Sequence, residues 1–176
     1  SMAFAFIFPG QGSQAVGMGK ELADAFPAAK AVFDEVDAAL GEKLSDLIWG
    51  GPIETLTLTA NAQPALMAVS LAAVRALEAG FGIKVSQAAY VAGHSLGEYS
   101  ALAAAGSLSI TDAAKLLRKR GEAMQAAVPV GQGAMAALIG KVDLETAEII
   151  ALEASGSGTV GVANDNNVGN VVISGT

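Results

Sequence analysis

Apolar positions along the chain fall into short continuous runs and longer blocks with helical spacing. Ala3–Phe8 is a run of strand length halted by Pro9-Gly10, and it reads as a buried β-strand. The segment from about Val16 to Phe26 is helical in pattern. Pro27 then suits the first turn of a second helix reaching about Leu40. A long helix is predicted from about Ala62 to Ala79, stopped by Gly80. Ala88–Ala92 reads as a second strand and Leu96–Ala105 as the helix that follows it. Thr111-Asp112 caps a further helix reaching about Ala127.

Beyond a linker at Pro129–Gly133 the rhythm changes. A strand (Ala134–Ile139), a helix (about Leu144–Ala154) and two strands (Thr159–Ala163, Val171–Ser174) give β-α-β-β, the first part of a ferredoxin-like unit. The chain stops before the last helix and strand of that unit. This reads as a truncation, because an incomplete sheet exposes an unpaired edge. The expectation is thus an α/β chain in two parts, residues 3–128 and 133–176.

Composition narrows the function classes. Hydrophobic residues make up 52% of the 176 positions and charged residues 15%, enough for a sizeable core. The net charge of −7 argues against a nucleic-acid binder, which carries a basic footprint. Cysteine is absent, which excludes disulfides and thiolate metal sites and permits an intracellular location. Residues 55–74 carry no charge, but their Thr, Asn, Gln, Ser and Pro64 suit a buried helix better than a membrane span.

Candidate chemistry centres on Gly93-His94-Ser95-Leu96-Gly97, a G-x-S-x-G sequence between a predicted strand and a predicted helix. That context suits a nucleophile elbow, a sharp turn exposing the Ser95 hydroxyl, with the Leu96 N–H directed into an oxyanion hole. The alternative is a small residue in a tight turn. His94 is the sole histidine of the chain, but adjacent side chains diverge at such a turn. It reads as a packed histidine rather than the base.

Two further features bear on the site. Phe8-Pro9-Gly10-Gln11-Gly12-Ser13-Gln14 follows the first strand, and Gln11 there offers an amide donor to an oxyanion, or is simply solvated in a glycine turn. Gly10, Gly12 and Ala15 also match the spacing of a dinucleotide fingerprint. The acid that fingerprint needs would be Asp34 or Glu35, both in a helical pattern rather than at a strand end. On an ideal helix Ala113, Leu116, Leu117, Met124 and Ala127 lie within about 60° of Arg120, placing it mid-way across an apolar face. A guanidinium there needs a carboxylate, internal or from a ligand. Arg118 falls on the opposite side with Lys115 and Glu122, an expected solvated face.

The order Phe8–Gln14, Gln63-Pro64-Ala65, Gly93–Ser100, Arg120-Gly121, with Gly133–Ala136 and Val171–Gly175 behind it, closely resembles the malonyl-CoA:acyl-carrier-protein transacylases of bacterial fatty-acid synthesis. The resemblance runs over the whole chain. It implies a cytoplasmic acyltransferase with an α/β-hydrolase-like core, here incomplete, into which a ferredoxin-like small subdomain is inserted. In it Ser95 takes malonyl from coenzyme A as an ester and passes it to the phosphopantetheine thiol of acyl carrier protein. Gln11 and Leu96 match oxyanion-hole positions and Arg120 matches the arginine that pairs with malonyl's carboxylate. Gln63 lies in a family motif with no assigned role. The resemblance implies coenzyme A thioester as substrate, no resident cofactor, no metal and no membrane. The catalytic histidine of the family lies beyond the point where this chain stops, so the segment alone is expected to be inactive. Acyltransferases of other specificity, a serine esterase, a dinucleotide-binding module and a non-catalytic carrier-binding fragment are the alternatives. For the last of these, Lys115, Arg118 and Lys119 offer a basic strip to an acidic carrier.

Overall fold

The computed structural model describes residues 3–127. Two strands, β1 (Ala5–Phe8) and β2 (Tyr90–Gly93), pair in parallel, with Phe6 opposite Val91 and Phe8 opposite Gly93. Strand alternation turns Phe6 and Phe8 toward the helices and leaves Ile7 67% exposed on the other face. The elements between the strands are helical: α1 (Lys20–Ala25), α2 (Pro27–Leu40), α3 (Leu44–Gly50), α4 (Ile53–Thr57) and α5 (Thr59–Phe81). A short 3-10 turn at Val85–Gln87 leads into β2, and α6 (Gly97–Ala104) and α7 (Ile110–Ala127) follow. The predicted β-α-β-β and the linker at Pro129–Gly133 lie outside the described residues.

The elements near the site are where the sequence placed them, with shifted ends. Helix α1 begins at Lys20 rather than near Val16. The Gly17 N–H donates to Ile48 O of α3 at 2.8 Å, so the preceding residues form a turn anchored elsewhere. Helix α5 starts three residues early and runs through Gly80 to a left-handed cap at Gly82. The cap of α7 is Ser109, whose Oγ accepts the Asp112 N–H at 3.0 Å. Thr111, expected as the cap, instead donates both its N–H and its hydroxyl to Glu35 of α2.

Helix α5 is the axis of the core. It is long and apolar enough to cross a membrane by length and composition, yet Met67, Ala68, Leu71 and Ala72 are fully buried among other helices. Phe33 and Val36 of α2, Ile48 of α3, Leu56 of α4 and Leu117 of α7 share that core. A smaller cluster of Phe8, Val74 and Ala101 joins it to the sheet.

Helix α7 crosses the first turns of α5 at Gly121. A Cβ built there would sit 2.6 Å from Ala60 Cα and 2.7 Å from Thr59 O, so the approach is possible only for glycine. The buried stripe of α7 is Ile110, Ala113, Ala114, Leu117 and Gly121, while Leu116 is 45% exposed. This corrects the face predicted above. At 100° per residue Arg118 and Arg120 lie roughly 80° to either side of that stripe. Arg118 is therefore not solvated: its side chain is 17% exposed, and Nη1 donates to Ala60 O and Asn61 Oδ1, each at 2.7 Å. Its other terminal nitrogen pairs with Glu42. Pro64 explains the need, because it lies within α5 and has no N–H to give to Ala60 O. The guanidinium takes the place of that missing donor.

Replacing Arg118 by methionine leaves a partly buried carbonyl unpaired and should lower stability by about 1–3 kcal/mol. Denaturant unfolding measures this. A loss within the about 0.5 kcal/mol of an ordinary surface substitution would contradict the assignment.

Candidate active site

Ser95 occupies a strained turn. Its φ of 56° is the one positive value at a non-glycine among the described residues, and its side chain is 1% exposed. The turn is closed by backbone bonds: Gly97 N–H donates to His94 O at 2.7 Å, and Glu98 N–H to Ser95 O at 3.0 Å. The two flanking glycines are steric requirements. A Cβ on Gly93 would meet Gly97 O at 2.0 Å, and one on Gly97 would meet Phe8 O at 2.3 Å. Helix α6 thus folds back onto β2 and against the carboxyl end of β1 with no room for side chains. His94 N–H completes the junction by donating to Phe8 O at 3.1 Å. Such a strand-turn-helix is the geometry of a nucleophile elbow.

A chain of side chains connects this turn to the loop after β1. Arg120 Nη2 donates to Ser95 Oγ at 3.4 Å, and Nη1 donates to Gln63 Oε1. Gln63, 1% exposed, donates from Nε2 to Thr59 Oγ1 at 2.8 Å. Thr59 donates in turn to Gln11 Oε1 at 2.6 Å. The guanidinium carbon of Arg120 also lies 5.5 Å from the centre of the Tyr99 ring, a cation–π contact from α6. Ser95, Arg120 and Gln11, drawn from three separate stretches of sequence, therefore share one hydrogen-bonded cluster. Leu96 follows Ser95 at the head of α6, and its N–H has no partner among the described residues.

Thr59, Gln63 and Tyr99 complete the cluster, and none of them was given a chemical role from sequence. Gln63 at least stood in a motif. Thr59 lies four residues before it, the spacing that puts both on one helix face, and this was the signal available. His94 is drawn into the backbone of the elbow, and among the described residues no hydrogen bond links its ring to Ser95 Oγ. Burial holds its pKa below the usual value. The dinucleotide reading finds no matching geometry. Gly10–Ala15 opens no helix, and Asp34 and Glu35 lie within α2, with Glu35 engaged by Thr111.

A glycine-flanked serine elbow with an arginine beside its hydroxyl is a geometry suited to acyl transfer. The chain belongs to the acyl transferase domain family, whose model matches residues 5–176. It is 53% identical over 173 residues to the malonyl CoA-acyl carrier protein transacylase of Bacillus subtilis strain 168, covering 98% of this chain and 53% of that protein. The crystal structure of acyl-carrier-protein-S-malonyltransferase from Bartonella henselae is 56% identical with a TM-score of 0.70, over 85% of this chain and 48% of that one. A type II polyketide-synthase acyl-carrier protein in complex with its malonyl-transacylase also matches. It is 45% identical with a TM-score of 0.67, over 73% of this chain and 40% of that one. The chain spans about half the length of the relatives it matches.

The lowered pKa of His94 has a sign that can be tested. In the unfolded chain His94 protonates near 6.5, whereas the desolvated imidazole of the native state holds its proton only at lower pH. In that interval the unfolded state binds more protons, so stability falls as pH drops through 6.5 and levels off once the native imidazole also protonates. His94→Gln should remove this component, seen as a shallower loss of denaturant midpoint between about pH 7.5 and 5. An unchanged pH dependence would contradict the desolvation.

Proposed function

We propose that this chain is the N-terminal part of a transacylase that moves malonyl from coenzyme A to the phosphopantetheine thiol of acyl carrier protein. Ser95 Oγ attacks the thioester carbonyl, the carbon–sulfur bond breaks, and coenzyme A leaves as the thiol. The carrier thiol then attacks the seryl ester, and Ser95 regains its proton as the new thioester forms. The Leu96 N–H and the Gln11 amide donate to the oxyanion of each tetrahedral intermediate. Because no hydrogen bond links the His94 ring to Ser95 Oγ among the described residues, the base that takes the serine proton is assigned to a histidine beyond these 176 residues, so the segment alone turns over poorly. The fold is proposed to complete as an α/β-hydrolase-like large subdomain, with residues 3–128 as its first part and a ferredoxin-like small subdomain beginning at residue 133. The enzyme acts in the cytoplasm.

One observation carries the choice of acyl group: Arg120 Nη2 lies 3.4 Å from Ser95 Oγ. A guanidinium that close to the nucleophile reaches a carboxylate only if little separates it from the reacting carbonyl. Malonyl, with one methylene between them, fits that spacing, and Arg120 can grip its carboxylate through two parallel N–H bonds. Acetyl offers the cation nothing.

In the full-length protein Arg120→Ala should reduce kcat/KM for malonyl-CoA about 10- to 150-fold, the worth of a charge-assisted hydrogen bond. Acetyl-CoA should lose far less. Steady-state assays with both donors, following carrier-bound acyl group and free acid, decide the matter. Equal losses would make Arg120 a structural residue, and acid as the main product would indicate an esterase.

A further inference from the structure

We infer that Tyr99 is a positioning residue that sets acyl specificity: its ring holds the Arg120 guanidinium at the nucleophile and so favours a short acyl group ending in a carboxylate over a neutral one. The inference rests on the proposed pairing of Arg120 with the malonyl carboxylate and extends it to the residue that keeps the arginine in place.

Tyr99 and Ser95 belong to one rigid unit. The ring stands on the first turn of α6, four residues after the nucleophile, and the Tyr99 N–H donates to Leu96 O at 3.0 Å. The start of α6 is locked to both strands, since a Cβ on Gly93 or Gly97 would collide with backbone oxygens at 2.0 and 2.3 Å. Arg120 comes from a different element, α7, whose anchor is the Gly121 crossing over α5. Its guanidinium therefore needs a contact that refers it to α6. Tyr99 supplies one. Arg120 Cζ lies over the ring, 5.5 Å from its centroid, inside the reach of about 6 Å for a cation–π attraction. The ring is itself half-buried against the main helical core, which limits its motion.

The chemistry of the contact suits the task. Among the polar contacts of Arg120, Nη1 donates to Gln63 Oε1 and Nη2 to Ser95 Oγ at 3.4 Å. The second is given up when Ser95 Oγ becomes the ester oxygen and Nη2 turns to the acyl carboxylate. The ring contact survives that change. It acts on the charge of the guanidinium and occupies none of its N–H donors, so it draws nothing of the planar fork away from a bound carboxylate. An acidic side chain in the ring's place would pair with the same donors and compete with the substrate. An aromatic neighbour orients the arginine without competing.

The test uses the full-length protein, with kcat/KM for malonyl-CoA and acetyl-CoA measured on one preparation in transfer to carrier protein. The ratio of the two cancels any fraction of a variant that fails to fold. Wild type and Arg120→Ala come first. Equal kcat/KM for both donors in wild type, or a ratio untouched by Arg120→Ala, would overturn the proposed carboxylate pairing and this inference with it. Given discrimination that Arg120→Ala removes, Tyr99→Leu should lower the malonyl-to-acetyl ratio about 3- to 30-fold, the range of a partly to fully desolvated cation–π contact. Tyr99→Phe keeps the ring face and should stay within about twofold of the wild-type ratio. In an Arg120→Ala background, Tyr99→Leu should change the ratio less than about twofold, because the group it holds is gone. A wild-type ratio in Tyr99→Leu would overturn the inference while leaving the carboxylate pairing in place, as would a Tyr99→Phe loss as large as that of Tyr99→Leu.

Discussion

The close crossing of α7 over the first turns of α5 organises the site, and it depends on the absence of one side chain. With glycine at 121 the α7 backbone lies against Ala60 and Thr59. The two neighbouring arginines then straddle the start of α5 and divide the work. Arg118 repairs the backbone of α5 by donating to the carbonyl that Pro64 leaves without a helical partner. Arg120 reaches the other way, to Gln63 and Ser95. A thicker residue at 121 would push both guanidinium groups away together. The cation at the nucleophile is therefore a consequence of helix packing.

The second constraint is the junction of the two parallel strands with α6. Gly93 and Gly97 permit a contact between backbone segments that leaves Ser95 at positive φ, its hydroxyl brought to the carboxyl ends of both strands. Gln11 follows β1 there by three residues. Open α/β sheets place ligands at this end of their strands, and here the same end receives the arginine from α7. Scaffold and chemistry meet because β1 and β2 are neighbours in space with five helices between them in sequence.

Local features were readable from the sequence and long-range ones were not. The elbow was legible because its glycine requirement is contained within five residues. Helices α2 and α7 were legible because apolar spacing and a first-turn proline act locally. Helices α3 and α4 escaped notice: they are short, enclosed by Gly41, Gly50, Gly51 and Pro52, and Asp37 at the end of α2 receives the Ser45 N–H at the start of α3. Arg120 stood out in the sequence as a charge on an apolar face, but that face was misjudged, since the stripe buried on α7 is set by the start of α5. Arg118 was misread as solvated for the same reason: its partner carbonyl lies 58 residues away. Thr59 and Gln63 acquire meaning only through Gln11 and Arg120, 48 and 57 residues distant. Spacing along one helix could pair Thr59 with Gln63 but could not say what they touch.

The central claim is that a buried, strained serine takes a short carboxylated acyl group under the control of a fixed arginine. It is tested most directly by offering the full-length protein malonyl-CoA and acetyl-CoA in equal amounts, quenching early, and locating the adduct by intact mass and peptide mapping. The account predicts a single malonyl ester on Ser95, with acetyl a minor product. Acetyl captured as readily as malonyl, or a malonyl group on any residue other than Ser95, would contradict it.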